Sequence, residues 1–597
     1  MIDDGLLEPT RYYKERLKTQ FDETAGAFFD ELVDRSGIDV EANRQVSIRY
    51  RKRQAEADSL KKKLRSTKGW RVFLVFLGVI AVIAGILMIK YGAESDITAL
   101  NIAGVFAIVA GVVGAVLTLV FMSKVVKRLQ SESGVAQSRA DALLKEAREI
   151  ISPLTELFDS DMTRQLIIKS VPILKLDRNF DMRRYDYMSA KYGFIENEDE
   201  TESTLNLLSG EIVGNPFVFE RRLKMRMGTM KYTGTRLISY TVRSVDSNGK
   251  ATTRTVTQTL VAHVVKPKPY YSATTYMIYG NEAAPNLVFT REPNHAERMS
   301  EGEVMRFVRK KMRGVTRKSE NAALGGGTFT AMGDERFEAL FGATDRNNEV
   351  EFRLLFTALA QKNMVALLRD KENFGDDFYF KKRKCLNILR AEHSENWDMS
   401  TSPDKYVSYD VDICRNQFIS FNAAYFRSMF FDFAPLLSIP LYQQHEPAEY
   451  AYAERYPRNL TCYESEVLAN AIGAMRFAHP QTNSGVILKT ELMTKVGNSD
   501  KLSVKAVSFR TEQRCDTVMV MGGDGLMHGV PVFWDEYIPV EKLSVMDMKE
   551  LGCTDKEAER SAAVQKIAAN SAGWAYQHGI FACLYNGKAE LDKEFGN

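Results

Sequence analysis

The sequence has no HExxH, no CxxC, no Walker or GxGxxG pattern and no GxSxG. Their absence removes the usual local signatures of zinc hydrolases, thiol redox centres, nucleotide loops and serine hydrolases. Histidine is scarce. The seven in 597 residues are His263, His295, His393, His445, His479, His528 and His578, far apart in sequence, and no two stand at the i, i+4 spacing that shares a helix face. The six cysteines (Cys385, Cys414, Cys462, Cys515, Cys553, Cys583) are scattered over the C-terminal half without a histidine at ligand spacing. Neither a zinc site nor any other metal site is expected from them, and in a chain without a secretory signal they read as reduced thiols in a reducing compartment. Charge of one sign is also missing. The net charge is only +3, so the whole molecule has no pull toward nucleic acid, and electrostatic partners must be sought in local patches.

What is present in abundance is uninterrupted apolar sequence near the N-terminus. Val72 to Ile89 are eighteen consecutive uncharged, apolar residues. As a helix they rise ~27 Å, close to the ~30 Å hydrocarbon thickness of a bilayer. A second uncharged run extends from Ile97 to Ser123, and about seventy mostly polar residues precede the first, which argues against a signal peptide. Two membrane spans are therefore expected. Upstream lie Arg51, Lys52, Arg53, Lys61, Lys62, Lys63, Arg65, Lys68 and Arg71 against only Glu56 and Asp58; downstream lie Lys124, Lys127 and Arg128. The loop from Lys90 to Asp96 holds one lysine against Glu94 and Asp96. The positive-inside rule then places both flanks, both termini and all soluble mass in the cytoplasm. Trp70 and Tyr91 bracket the first span as interfacial anchors. The basic run Lys61, Lys62, Lys63 and Arg65 suits anionic lipid headgroups, although a topogenic signal is its blander meaning.

The second span carries small residues four apart, Ala103, Ala107, Gly111 and Ala115, with Gly104 and Gly114 beside them. Such a face permits close helix packing, against the first span with its Gly78, Ala81 and Gly85, or between subunits of a homo-oligomer. No ionisable side chain interrupts either run. Asn101 and Thr118 are the notable polar groups, which makes a channel the lowest-ranked alternative.

The fold class expected is α+β: a transmembrane helical hairpin with a helical stalk, then antiparallel-sheet and helix domains in the cytoplasm. The divisions expected are 1–69 (N-terminal helices), 70–123 (the hairpin), 124–204 (stalk, with a break at Pro153), 205–325 (β-rich), 326–449 (α+β) and 450–597 (C-terminal α+β). After residue 205, alternating Thr, Val, Tyr and Ile predict strands, with a tight turn at Asp246-Ser247-Asn248-Gly249. Ser300 and Glu303 predict a capping box, and Gly325-Gly326-Gly327 a joint. Residues 334–341 and 349–370 read as helices, the latter with Val350, Leu354, Leu355, Leu359, Leu367 and Leu368 as its apolar stripe. Segments 377–389 and 405–421 read as strands and 423–437 as a helix. A helix over 465–478, three or four strands turning at Gly497-Asn498-Ser499-Asp500 and at Gly522–Gly525, and a last helix near 555–577 complete the chain.

The sharpest motif is Gly522-Gly523-Asp524-Gly525 after the apolar strand 517–521. It resembles the phosphate loop of lipid kinases and NAD kinases, in which the glycines admit phosphate and the aspartate serves metal or substrate. Two features depart from that pattern: Leu526 stands where those families have threonine, and only 72 residues follow, with no α/β half before. The competing reading is a β-hairpin turn. Three basic clusters, Arg221-Arg222 with Lys224 and Arg226, Arg309-Lys310-Lys311 with Arg313, and Lys381-Lys382-Arg383-Lys384, are read as solvated strand edges or helix faces. The segments at 333–341 (GDERFEALF), 349–361, 477–490 and 522–539 resemble an uncharacterised bacterial family of two-span membrane proteins. That resemblance implies a bacterial, membrane-anchored protein with GGDG as a structural turn, and brings no catalytic residues. The functional expectation is a non-catalytic, homo-oligomeric scaffold or regulator at the membrane, using no cofactor and binding no nucleic acid. The alternative is a nucleotide-dependent enzyme using Asp524.

Overall fold

A computed structural model of the chain describes all residues except 1–3, 95–97, 179, 181, 195–198, 246–250, 396, 398, 445–461, 497–498, 552–556, 559–560, 578 and 586–597. The expected turn at 246–249, Gly497, Asn498, Cys553, His445 and His578 lie outside the described residues. The chain divides into two compact units, one of residues 22–160 and 402–422, the other of 1–21, 161–401 and 423–597.

In chain order the helices begin with α1 (Pro9–Tyr12), α2 (Lys18–Ser36), α3 (Val40–Glu94) and α4 (Thr98–Thr155). The last two dominate the first unit. At 55 and 58 residues each is about 80 Å long. They run antiparallel and in continuous contact, from Asn43, whose amide donates to the Ala147 carbonyl, through Gln54 and Gln137, to Gly85 against Gly104. Apolar runs and charged stalk are thus single helices. Pro153, read as a break, lies inside α4 two residues before its end, so the helix stops within a turn of it.

The second unit is built on two antiparallel sheets. After α5 (Met162–Ser170) come β1 (Leu174–Leu176), α6 (Met182–Tyr192), β2 (Glu202–Ile212), β3 (Asn215–Val245), β4 (Ala251–Gly280) and β5 (Val288–Arg291). Then follow α7 (Glu301–Leu324), α8 (Glu335–Phe341), α9 (Glu349–Leu355), α10 (Ala358–Leu368), β6 (Phe378–Arg383) and β7 (Leu386–Ala391). The seven strands order β1-β2-β3-β4-β7-β6-β5. The capping box at Ser300 forms, and Gly325 and Gly327 close the C-terminus of α7 through bonds to Asn321 and Ala322. The 349–370 segment breaks at Phe356-Thr357, where the Thr357 hydroxyl caps α10. The break turns the apolar stripe: Val350, Leu354 and Leu359 are exposed, while Phe352, Leu355, Phe356, Met364, Leu367 and Leu368 are buried.

Residues 405–421 overturn the strand expectation. They lead into α11 (Val411–Leu437), whose start is capped by the Asp410 carboxylate. Their aromatic and β-branched content suggested a strand, but Val411, Cys414, Phe418 and Asn422 bury at helical spacing. After α12 (Pro440–Gln444) and α13 (Cys462–Phe477), the second sheet holds β8 (Ile487–Val496), β9 (Ser499–Met521) and β10 (Met527–Glu550). Helix α14 (Ala562–Asn570) and strands β11 (Ser571–Gln577) and β12 (Ile580–Tyr585) close the chain. Their order is β11-β12-β10-β9-β8. The last helix is therefore shorter than expected: from Ser571 the chain alternates, buries Gly573 and Ala575, and pairs with β12. The architecture is α+β.

Beyond the sheets two hairpins project as ribbons. β3 and β4 pair from Phe217–Tyr279 to Val245–Ala251, while β2 accompanies β3 only to Lys224 and β7 reaches β4 only at Met277–Gly280. β9 and β10 pair over their full lengths. The ribbons pack face to face through Ile238, Leu260, Ala262, Val530 and Val532. Arg236 donates to the Gly529 carbonyl at 2.7 Å, and Lys266 lies 2.7 Å from Asp516 and 4.1 Å from the Trp534 ring. Gly234 has no side chain because the Pro531 backbone occupies the space a Cβ would need.

Candidate functional site

The richest gathering of titratable groups lies where β6 begins, β7 ends and the second half of α11 passes. Gly375-Asp376-Asp377 leads into β6, and Glu392-His393-Ser394 turns out of β7. His393 is buried, its side chain 5% exposed. Its Nδ1 lies 2.7 Å from Asp377 Oδ2, and its Nε2 lies 3.1 Å from the Ser428 carbonyl and 3.5 Å from Asp432. The Ser394 hydroxyl donates to both Asp432 oxygens, at 2.7 and 2.9 Å. Burial alone would push the imidazole toward neutrality, but Asp432 and Asp377 outweigh it and the His393 pKa is raised. Burial lifts Asp432 to about 6, with His393 pulling the other way.

A stack covers this group. The Phe374 ring lies 3.9 Å from the imidazole and nearly parallel, and the Arg427 guanidinium sits 4.6 Å from the Phe374 centroid. Phe374 has φ +68°, a left-handed conformation a bulky residue adopts only when its surroundings compel it. Gly375 follows at φ +60°, where a Cβ would meet Glu297. The stack floors an open cleft of about 600 Å³ rimmed by Glu297, Arg298, Lys371, Glu372 and Glu392. The rim mixes both signs. With an acceptor at each ring nitrogen, His393 donates at both ends as an imidazolium, which suits a clamp between loop, turn and helix rather than a general base. The sequence nominated none of these residues. Asp377 and Asp432 stand 16 and 39 residues from His393, so only the fold brings them together.

Gly522–Gly525 closes the β9–β10 hairpin: Gly522 N–H donates to the Leu526 carbonyl at 2.8 Å and Gly525 N–H to Gly522 at 3.0 Å. Asp524 accepts from the Leu526 N–H at 3.0 Å and approaches His528 Nε2 at 2.9 Å. These contacts hold its pKa below the usual carboxylate value, the Leu526 N–H bond most. The Gly523 N–H is taken by Gln258 of the facing ribbon. Among the small residues, Gly111 packs on Gly78 and Val82, and Gly104 on Gly85 and Ile89, all within one chain; Ala103 is exposed and Ala107 and Ala115 are half-buried. The contact face is thus centred on Gly104 and Gly111, one residue round from the Ala103–Ala107 line. Lys61, Lys62, Lys63 and Arg65 lie on α3, all four exposed. Among the basic clusters, Lys382 departs from the solvated reading. It is fully buried, donates to the Ala283 carbonyl at 2.9 Å, and burial lowers its pKa to about 7. Arg222 is likewise inside, paired with Glu220 at 2.5 Å and Glu202 at 3.3 Å.

The outer faces of the two ribbons form the other candidate surface. Leu237 (68% exposed), Val261 and Val265 line one; Met519, Met521 (65%), Met527 and Phe533 (57%) line the other. Among the described residues no cluster of His, Cys, Asp and Glu is placed to hold a metal ion. Comparison with protein-family models, with curated proteins and with solved structures finds no match.

Proposed function

We propose that the chain is anchored in a membrane by α3 and α4 and acts, without catalysis of its own, as a self-associating scaffold or regulator whose soluble regions lie in the cytoplasm. The observation that carries this reading is the bareness of the two apolar helices: in the most apolar 18-residue window of each, 6% of residues are buried within the chain. Water does not tolerate two such continuous surfaces, and a helix can take them into lipid because its backbone is bonded internally. The basic flanks support the orientation, since Lys90 is the one basic residue in the connecting loop. Apolar outer faces on the ribbons support self-association, and the doubly engaged His393 nitrogens support a structural role for the buried cluster.

Three measurements test the parts separately. Alkaline carbonate should leave the chain in the membrane pellet; release into the supernatant refutes the anchor. Light scattering of the full chain in detergent should give more than one copy; a monomer ends the self-association claim. An impermeant maleimide applied to intact cells should not reach Cys515, an exposed thiol, and labelling there would reverse the topology.

A further inference from the structure

Helix α7 packs on its own unit through Val304 and Val315, which are buried, with Phe307, Val308 and Met312 half-buried beside them. The opposite face carries Arg306, Arg309, Lys310, Arg313 and Arg317, all exposed. Positions 306, 310, 313 and 317 stand at i, i+4, i+7 and i+11, so their side chains form one stripe along the outward side. The acids of the helix stand only at its two ends, and Glu303 alone acts on a stripe residue, Arg306. Glu301 is engaged by Arg336 at 2.6 Å and Arg369 at 2.9 Å, Glu303 closes the capping box, and Glu320 lies beyond the stripe. Among the described residues none of the five stripe cations makes an ion pair with a carboxylate.

We infer that the outward face of α7 docks on an anionic phospholipid surface. Five exposed cations on one face, none held in an ion pair with a carboxylate, match a plane of headgroup phosphates and acidic lipids, to which clustered basic residues bind additively. Met305, 63% exposed beside the stripe, gives the face an apolar side chain to enter the headgroup boundary. The face exposes no Tyr, Trp or His on which a base could stack, which favours a bilayer over single-stranded nucleic acid. This contact is distinct from the basic run beside the first span. It rests on the membrane reading only in that a tethered chain meets lipid at high local concentration.

The test uses the full chain held in neutral phosphatidylcholine nanodiscs, mixed with sucrose-loaded vesicles of phosphatidylcholine with or without phosphatidylglycerol. The wild type should sediment with the anionic vesicles alone and be released by high salt. Changing Arg306, Arg309, Lys310, Arg313 and Arg317 to Gln should lower the bound fraction about tenfold or more. Arg313→Glu alone should lower it partially, and the four arginines changed to lysine should keep it. The inference is overturned if the five-fold variant, melting as the wild type does, still sediments, if neutral vesicles capture the chain equally, or if a single-stranded oligonucleotide binds more tightly than the vesicles. Should the chain prove soluble without nanodiscs, the same assay runs on it directly, so loss of the anchor reading and loss of this one are read apart.

Discussion

The helical hairpin α3–α4 and the ribbon hairpins β3–β4 and β9–β10 are all long, and all leave apolar side chains bare. They cannot be covered by the same thing. Every backbone group in the middle of a helix is bonded within it, so α3 and α4 can take their apolar surface into hydrocarbon. The ribbons cannot. Over 225–245 of β3 and 508–521 of β9, among the described residues, no third strand pairs along the outer edge, and an unpaired edge in lipid costs several kcal/mol per group. Under the proposed anchoring the helical pair takes lipid and the ribbons take protein, and the backbone decides which.

The largest effect should come from wedging the helical hairpin apart. Leucine at both Gly104 and Gly111 must displace Gly85, Ile89, Gly78 and Val82, and should cost about 3 kcal/mol or more, read as a lower melting temperature in detergent. Unchanged melting would mean that α3 and α4 do not pack in this register. Nearly as large should be His393→Gln, a change in neither hairpin that calibrates what burial adds to a His–Asp pair. It leaves Asp432 and Asp377 buried without their cation, at about 3 kcal/mol. Because the folded pKa of His393 is raised, its contribution is fully present below the unfolded value near 6.5 and fades as pH rises through the folded value. Asp432, raised to about 6, shifts stability in the same direction, lowering it between about pH 4 and 6 as pH rises. Urea titrations on either side of neutrality should therefore show wild type and variant converging at alkaline pH; a constant gap would remove the clamp.

Gly234→Leu should separate the ribbons at about 2 kcal/mol, read as faster hydrogen exchange in 236–264 and 516–534. Leu237→Glu with Val265→Glu changes the outer face only, so stability should stay within about 0.5 kcal/mol while the mass in detergent falls. A mass unchanged at every concentration would place self-association elsewhere. The smallest effect belongs to the ribbon tip. Asp524→Asn keeps an acceptor for the Leu526 N–H and should leave melting unchanged, with or without ATP and Mg²⁺, whereas a nucleotide-dependent shift in the wild type lost in the variant would revive the kinase reading.

How much of this could be read from residues alone depended on range. The apolar helices were legible because one property holds for eighteen positions in a row, and the ribbons because Thr, Val and Tyr alternate on both sides of their turns. The second half of α11 was legible and its first half was not, since Val411, Ile413 and Phe418, with Tyr406, Val407 and Tyr409 before them, have strand composition and only the spacing of buried Val411, Cys414 and Phe418 betrays the helix. Of the small residues read as one face, Gly111 and Ala115 meet Gly78 of α3 and Ala103 is exposed, while Gly104 beside the line meets Gly85, because register across a hairpin depends on where the connecting turn sets the two helices. The His393 group was invisible for a different reason: each member is ordinary in its own segment.

Because α3 and α4 each run unbroken from the apolar stretch to residues near 43 and 147, the pair behaves as a torsion rod. Any change in crossing angle at Gly85 and Gly104 has no hinge in which to dissipate and must emerge at Gln54 and Gln137. A spin-label distance between positions 54 and 137 should therefore respond to bilayer thickness, and a distance indifferent to it would show that the twist is absorbed along the way.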